Sequence, residues 1–400
     1  MVAPLRVCYN VWPAEVKKWG YEFSVGILHG PDKLKVLNED HDIYVINPEG
    51  LVWFASQMAH GFARKWFAYK FWLIVDESSL FRNGRSKRFK TLKKLLKYFN
   101  RRTILTGTPA PNGLEGLWGQ LYILDRGDRL GEYITAFRNR WFYPSGYGGY
   151  TYMPQEGAKE KIYSAIKDIV MHKGREELNL PPLINNKVVV SLDDDPVARN
   201  VYSEMKDEFI ADVGERGLVA AINGAVMNGK LRQITAGAVY NEDHEAIEIH
   251  SKKLEALDDL IEELEGQPLM IFYEFEFERD RLLKRYKQAK ALGGGTSPKQ
   301  GMRIEEDWNA GNIPILLLHP KSGGHGLNLQ KSSCHDLCWM TIPWDAELYE
   351  QAYSRVWRQG VDDSVTMHHI IAIDTIDEQV VQALINKTKL QDELKAALTR

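Results

Sequence analysis

Short apolar runs alternate with helical patterns along the first part of the chain. The runs that predict strands are Leu5–Tyr9, Ile43–Ile46, Trp72–Val75 and Thr103–Leu105. Helical patterns such as Pro13–Trp19 and Leu51–Phe67 lie between them, and this alternation is typical of a parallel α/β sheet. The stretch Pro144–Pro154 is rich in Gly, Tyr and Pro and predicts a loop or an insertion, and Glu160–Val170 predicts a further helix.

A second α/β pattern begins at Pro268, after a mostly helical stretch from Asp193 to Glu265. Its predicted strands are Leu269–Phe272, Ile315–Leu318, Asp336–Met340 and Val365–Ile371, and an amphipathic helix is predicted over Ile376–Leu398. The predicted organisation is a first domain over residues 1–190, which ends with the β-branched run Lys187–Val190, a mostly helical insertion over 191–265, and a second domain over 266–400.

Composition narrows the class of protein. The chain has 400 residues, 44% of them hydrophobic and 26% charged, which is typical of a globular protein with more than one core. No apolar run approaches the roughly 18 residues of a membrane span. Three cysteines fit a reducing cytoplasm. Cys334, His335 and Cys338 lie close together, but no second ligand pair accompanies them, so buried thiols near a strand are favoured over a metal site.

The net charge of −3 does not indicate a nucleic-acid binder, so any such binding has to use a local basic surface. One region qualifies, and its basic residues are Arg82, Arg85, Lys87, Arg88, Lys90, Lys93, Lys94, Lys97, Arg101 and Arg102. Helix-spaced lysines also form ordinary solvated faces, and this run by itself leaves both interpretations open.

An acidic pair follows the third predicted strand, in the run Phe71–Ser79 (FWLIVDESS). Carboxylates at the carboxyl end of a parallel strand lie where α/β folds bind ligands. Asp76 is placed to hold Mg²⁺, directly or through water, and Glu77 to polarise an attacking water. The alternative is an acidic pair at a strand end that only faces solvent.

The stretch from His319 to Gly360 reads HPKSGGHGLNLQ, then a short apolar segment, then WDAELYEQAYSRVWRQG. Gln351, Arg355 and Arg358 are spaced by four and three, which on a helix predicts one common face. Two fixed arginines that point the same way suit the charge on a transferring phosphoryl group.

These segments resemble, in order, the motifs of the Swi/Snf-type branch of superfamily-two helicase-like ATPases. FWLIVDESS resembles motif II, and TILTGTPAPN resembles motif III, with its small-polar signature at Thr106, Gly107, Thr108, Pro109 and Asn112. MIFYEFEF resembles motif IV, SGGHGLNLQ motif V and the Arg355-to-Arg358 segment motif VI, although the usual Ile-Gly-Gln tail is replaced by Gln359, Gly360 and Val361. The Gly-His-Gly-Leu-Asn version of motif V is similar to that of phage members.

The resemblance implies two RecA-like parallel-sheet lobes with a nucleotide cleft between them, and a double-stranded-DNA-dependent ATPase and translocase that uses ATP and Mg²⁺ in a bacterial or phage-infected cytoplasm. It implies nucleotide contacts from Asp76, Glu77, Gly326, Gln351, Arg355 and Arg358, with Asp76 as the Mg²⁺ ligand and Glu77, Arg355 and Arg358 as catalytic residues. It implies a coupling role for Thr106, Gly107 and Thr108. Nucleic-acid contacts are expected from Arg85, Lys87, Arg88 and Asn328.

A phosphate-binding loop ending in Gly-Lys-Ser/Thr, which the family carries before motif Ia, is missing from the sequence, since residues 2–19 already resemble motif Ia. Gly224–Lys230 (GAVMNGK) fits the spacing, but Leu231 replaces the Ser/Thr and the surrounding pattern is helical. A partner that supplies the loop, a truncated chain, and a non-hydrolysing nucleic-acid-binding module or scaffold are three explanations. Asp76, Glu77, Arg355 and Arg358 argue against the last, because a pure binder needs none of them.

Overall fold

The computed structural model describes residues 1–59, 71–110, 113–145, 151–172, 179–216, 220–293, 296–321, 327, 329–358 and 361–398. The chain divides into two compact units. The first consists mainly of Met1–His172, and the second mainly of Lys173–Gly323 and Leu327–Thr388.

The first unit is α/β. Its strands are β1 (Val25–Ile27), β2 (Ile43–Val45), β3 (Trp72–Val75), β4 (Arg101–Ile104), β5 (Phe142–Ser145) and β6 (Thr151–Pro154). Its helices are α1 (Leu5–Asn10), α2 (Trp12–Lys18), α3 (Lys33–Asn38), α4 (Leu51–Gln57), α5 (Lys87–Leu95), α6 (Leu117–Asp125), α7 (Ile134–Trp141) and α8 (Ala158–Ile166).

The first unit's parallel sheet is joined through the N-terminus of the chain. β1 pairs with β2 and β3 pairs with β4, all in parallel. Val2 makes parallel bridges to Ile46 and to Val75, so it lies between the β1–β2 pair and the β3–β4 pair. The carboxyl ends of β3 and β4 therefore lie side by side, which places the segments that follow them at one edge of the sheet.

Two predictions for this unit are wrong. Leu5–Tyr9, predicted as a strand, belongs to the helix α1, which begins after Pro4 and buries Val7 and Cys8. The extended residue of this region is instead Val2, which bridges to neighbouring strands. Pro4 lies directly before the helix, a position that suits its fixed φ, so the chain turns from extended to helical at this residue. The segment Pro144–Pro154, predicted as a loop or insertion, contains the end of β5 and all of β6, which form an antiparallel pair; residues 146–150 lie outside the described residues.

The second unit holds a six-stranded parallel sheet. Its strands are β7 (Leu183–Val190), β10 (Leu269–Phe272), β11 (Lys290–Leu292), β12 (Ile315–Leu318), β13 (Asp336–Trp339) and β14 (Val365–Ala372), in the order β11-β12-β10-β13-β14-β7, and a separate hairpin joins β8 (Ala238–Tyr240) to β9 (Ala246–Glu248). Its helices are α9 (Pro196–Arg216), α10 (Ala220–Thr235), α11 (Lys252–Glu263), α12 (Glu276–Arg285), α13 (Pro298–Asn309), α14 (Ala346–Tyr353) and α15 (Ile376–Leu398). The predicted parallel α/β organisation is confirmed.

The boundary between the units differs from the predicted end of the first domain at residue 190. β7 pairs with β14 over eight residues, from Leu183 opposite Val365 to Val190 opposite Ala372. This ladder makes β7 an edge strand of the second unit's sheet. The predicted helical insertion over 191–265 is likewise part of the second unit, and it includes the β8–β9 hairpin.

Alternate residues of the central strands pack into two different cores. Leu269 and Ile271 of β10 belong to one buried cluster, and Met270 and Phe272 belong to another. Side chains of a strand alternate between the two faces of a sheet, so this sheet is covered on both. Among the described residues, no helix combines the length and the apolar character that a membrane crossing requires.

We expect the protein to lose stability as the pH falls from about 6.5 to about 4. Burial lowers the pKa of His369, on β14, to about 4, and its Nε2 lies 2.7 Å from the hydroxyl of Tyr349. An unfolded histidine has a pKa of about 6.5, so in this window the unfolded state binds more protons and the free energy of unfolding drops, by at most about 3 kcal/mol. Urea unfolding at about pH 7 and about pH 4.5 should show a smaller pH effect in His369→Gln. An equal effect in both proteins would assign the acid sensitivity to other groups.

Candidate functional site

The acidic pair lies directly after β3, as predicted. The backbone N–H of Asp76 donates to the carbonyl of Val2 at 2.8 Å. The Asp76 carboxylate accepts from two donors, through Oδ1 from the Glu77 backbone N–H at 3.0 Å and through Oδ2 from the Trp12 Nε1–H at 3.2 Å. Both acidic residues are half-buried, which disfavours the alternative of a carboxylate pair that only faces solvent. The carboxylate of Asp76 is thus held in one orientation at the carboxyl edge of the sheet.

Glu77 has a left-handed backbone. Its φ is 53° and its ψ is 57°, a region that is uncommon for residues other than glycine. Such conformations are less favourable by about 1–3 kcal/mol and occur preferentially at functional sites, where the surrounding structure holds them. The turn is held by Ser78, whose backbone N–H donates to Leu105 at 2.9 Å.

The predicted coupling segment follows β4. Leu105 donates its backbone N–H to Val75 at 2.8 Å, which keeps the two strand ends together. The N–H of Thr108 donates to Thr106 Oγ1 at 3.2 Å, and a side chain at Gly107 would meet no heavy atom within 4 Å. Thr106, Gly107 and Thr108 therefore form a tight turn with open space on one side. Asn112 lies outside the described residues.

The basic run extends from the segment before α5, through that helix, to the first residues of β4. Ser86 begins the helix by accepting from the backbone N–H of Phe89 at 3.2 Å. Arg85 and Lys87 are exposed, whereas Arg88 is half-buried. The helix buries its apolar face through Phe89, Leu92 and Leu95. Lys87, Lys90 and Lys94 are exposed, whereas Lys93 lies over the ring of Tyr122.

The predicted helix that carries Gln351, Arg355 and Arg358 ends earlier than expected. α14 ends at Tyr353, so only Gln351 is helical and the prediction of one helical face is wrong for the two arginines. Irregular turns follow, in which Arg355 donates its N–H to Ala352 at 3.4 Å and Arg358 to Val356 at 3.0 Å. The segment is anchored by Trp357, whose indole N–H donates to the carbonyl of Pro181 at 2.8 Å.

The two arginines differ in environment. Arg355 is 7% exposed, and its Nε donates to the backbone carbonyl of Gln351 at 3.2 Å. Gln351 in turn donates through Nε2 to Glu347 at 3.2 Å. Arg358 is exposed. Gln351 and Arg355 are thus in contact, while Arg358 projects from a different part of the turn.

Two further glycine-rich segments were singled out by the sequence, one around Gly326 and the other Gly224–Lys230. Gly326 and Asn328 lie outside the described residues, and Leu327 between them is buried. Gly224–Lys230 lies within the helix α10, as the helical pattern around it predicts. Among the described residues, no three or more His, Cys, Asp or Glu side chains are arranged so that they could hold a metal ion. Burial raises the pKa of Cys334 to about 12, in agreement with a buried thiol.

Trp12 was missed by the sequence argument. It lies 64 residues before Asp76, and nothing in the linear pattern connects the two. In the sequence, the only indication of this role was that Trp12 directly precedes the predicted helix Pro13–Trp19. Its N–H matters because it orients the carboxylate on which Mg²⁺ binding would depend.

Two family models match the chain. The SNF2-related domain matches residues 1–244, and the helicase conserved C-terminal domain matches residues 252–360. Together they support an ATP-dependent function of the helicase type.

Two relatives agree with these matches, and one solved structure is also similar. Putative protein p41 of Acyrthosiphon pisum secondary endosymbiont phage 1 is 32% identical over 100% of this chain and 88% of its own length. The putative ATP-dependent helicase/translocase YwqA of Bacillus subtilis is 25% identical over 98% of this chain, which spans only 43% of that protein. The Sulfolobus solfataricus SWI2/SNF2 ATPase core, solved in complex with double-stranded DNA, is 22% identical at a TM-score of 0.42, over 99% of this chain and 81% of that one. The SNF2-related domain match, over more than half of the chain, and the 32% identity to the phage protein show that the chain belongs to the SNF2-related family of helicase-like proteins.

Proposed function

We propose that this protein is a nucleic-acid-dependent ATPase of helicase type that translocates along double-stranded DNA. The observation that carries the proposal is the turn after β3, where Asp76 is oriented by Trp12 and Glu77 adopts a left-handed backbone. A turn held in an unfavourable conformation around two carboxylates is hard to explain by stability alone. Family membership, together with the names of the relatives, supports ATP as the nucleotide.

The residues of the turn fit a magnesium–nucleotide complex. Mg²⁺ prefers carboxylate oxygen, and it is commonly held by one or two carboxylates together with substrate phosphates and water. Asp76 supplies one such carboxylate, in a fixed orientation. Bound Mg²⁺ would neutralise charge on the phosphates, and Glu77, next to it, would orient and deprotonate the attacking water.

The second unit would contribute Gln351, Arg355 and Arg358. Two arginines carry permanent charge with geometry suited to phosphate oxygens, and we assign them to stabilising the transferring phosphoryl group. Gly326 is assigned to the nucleotide, and Asn328 to nucleic acid, on the resemblance alone. Hydrolysis also requires a phosphate-binding loop, and no segment of the printed sequence supplies one.

The exposed residues Arg85 and Lys87, with Arg88 beside them, are assigned to the phosphate backbone of DNA. Phosphate contacts by basic side chains release counterions, so their contribution falls as salt increases. Thr106, Gly107 and Thr108 would couple this surface to the nucleotide. We place the activity in the cytoplasm of a bacterial or phage-infected cell.

The first experiment is ATP hydrolysis by this chain, with and without duplex DNA, repeated after addition of a family segment that carries a phosphate-binding loop. We expect little turnover by the chain alone and DNA-stimulated turnover once the loop is present. No turnover in either case, with DNA binding intact, would favour the alternative of a non-hydrolysing nucleic-acid-binding module.

A second test needs no hydrolysis. We expect the affinity for duplex DNA to change when Mg²⁺ and a non-hydrolysable ATP analogue are added, because a translocase alternates between states of different DNA affinity. We also expect Arg85→Gln with Lys87→Gln to weaken DNA binding and to reduce the salt slope by about 2. The exposed pair Lys284→Gln and Lys287→Gln, in the second unit, serves as the charge-matched control. An affinity that is indifferent to nucleotide would contradict the translocase assignment.

A further inference from the structure

Gln120 is a buried polar residue inside an otherwise apolar helix. It belongs to α6, whose sequence is LWGQLYILD, and it is 1% exposed. A buried amide is tolerated only when its hydrogen-bonding groups are satisfied. The partners of this side chain therefore indicate why an amide lies at this position.

The Gln120 side chain joins two segments that both belong to the candidate site. Its Oε1 accepts from the hydroxyl of Ser78 at 2.9 Å. Its Nε2 donates to the carbonyl of Pro109 at 2.7 Å and to that of Gly116 at 3.1 Å. Because carbonyl oxygens can only accept, these contacts also determine which end of the amide is the nitrogen. All the polar atoms of the side chain are used.

The two segments are the turn after β3 and the turn after β4. Ser78 is the residue after Glu77, and Pro109 is the residue after Thr108. The Ser78 N–H also donates to Leu105, so the serine is tied to the second segment through its backbone as well. A displacement of one turn therefore has to break a buried hydrogen bond or move the other turn with it.

A second feature of the turn after β4 indicates that this turn can adopt another conformation. The hydroxyl of Thr108 is buried and has no hydrogen-bond partner among the described residues. An unsatisfied buried hydroxyl destabilises the present conformation of its turn relative to one in which it is paired. A second arrangement of the segment held by Gln120, in which this hydroxyl is paired, would be favoured by that hydrogen bond.

We propose that Gln120 is a positioning residue that makes residues 76–78 and residues 106–109 change conformation together. The inference rests on the proposed function for the ligands of these segments. In that function, residues 76–78 contact the nucleotide, and residues 106–109 lead on to the nucleic-acid track. The amide adds a specific link, which an apolar residue cannot make.

The link is tested by amide hydrogen exchange in the full chain. In Gln120→Leu we expect exchange at Ser78 and at Thr108 to accelerate together, by roughly tenfold, because both segments lose a buried partner. Ile123→Val is the control, since Ile123 is a buried residue of the same helix without a contact of this kind. Acceleration at only one segment, or equal acceleration in the control, would overturn the proposal.

A double variant separates the link from stability. Ser78→Ala combined with Gln120→Leu removes the serine hydroxyl that Gln120→Leu would leave unpaired, so the melting temperature should recover in part. Exchange at Thr108 should stay fast, because the link is still absent. If exchange returns to the wild-type rate together with the melting temperature, the role of Gln120 is purely structural.

A functional measurement completes the test. The ratio of duplex-DNA affinities with and without Mg²⁺ and a non-hydrolysable ATP analogue should fall toward one in Gln120→Leu, with nucleotide-free affinity unchanged. An unchanged ratio would contradict the coupling role. If the wild-type chain itself shows no nucleotide effect, the proposed function fails, and the exchange data still decide whether the two segments are linked.

Discussion

Replacing Glu77 with Gln is expected to lower ATP turnover by about 10²–10⁴-fold in protein to which a phosphate-binding loop has been restored. Gln has the same size as Glu, and the left-handed backbone conformation of residue 77 is similarly unfavourable for both, so the turn should keep its shape. The amide cannot accept a proton from the attacking water. Turnover should therefore fall, while the melting temperature and the affinity for the ATP analogue change little.

The measurement is steady-state hydrolysis with saturating duplex DNA. Glu132→Gln, at an exposed position of the same unit, is the matched control and should behave like wild type. Turnover that survives Glu77→Gln would show that the base has been assigned to the wrong residue. If turnover and nucleotide affinity fall together, Glu77 acts in binding rather than in the chemical step.

A Lys253→Met variant is expected to lose about 3–5 kcal/mol of unfolding free energy. The side chain of Lys253 is 1% exposed, and its Nζ lies 2.6 Å from Oδ2 of Asp377, whose side chain is 8% exposed. Nζ also donates to the carbonyl of Met340 at 2.9 Å. Methionine preserves the length of the side chain but leaves a buried carboxylate without its counter-charge.

The remaining contacts of Asp377 do not neutralise it. Thr235 Oγ1 and the Ala372 N–H donate to the carboxylate at 2.9 Å and 3.2 Å, and both donors are uncharged. The contacts span α10, α11, β14 and the start of α15, so the pair joins elements far apart in sequence. Urea unfolding of the two proteins measures the loss.

The control is the preceding residue of the same helix. Lys252 pairs with Glu255 at 3.4 Å in a partly exposed position, and Lys252→Met should cost less than about 1 kcal/mol. Adding Asp377→Asn to Lys253→Met should restore part of the stability, because the uncompensated charge is then gone. Similar losses at positions 252 and 253 would mean that the buried pair has no special role.

Elements in the second unit were predicted best where burial is complete. The bounds predicted for β10 and β12, Leu269–Phe272 and Ile315–Leu318, are those of the structure, and every residue of both strands is buried. A strand covered on both faces is a continuous apolar run, which is readable in sequence. β7 was assigned to the wrong domain, because its pairing with β14 is a contact between residues far apart in sequence.

In the candidate site, too, local features could be predicted from the sequence and contacts between distant segments could not. Local order in the sequence determined that an acidic pair follows β3, that a Thr-Gly-Thr turn follows β4 and that basic residues begin a helix, since each depends on neighbours within a few residues. Only the tertiary structure decided that Trp12 orients Asp76, that Gln120 joins the two turns and that α14 ends before Arg355. These features depend on hydrogen bonds and packing between segments that the chain brings together only when it folds, and no periodicity or spacing in the sequence encodes such contacts.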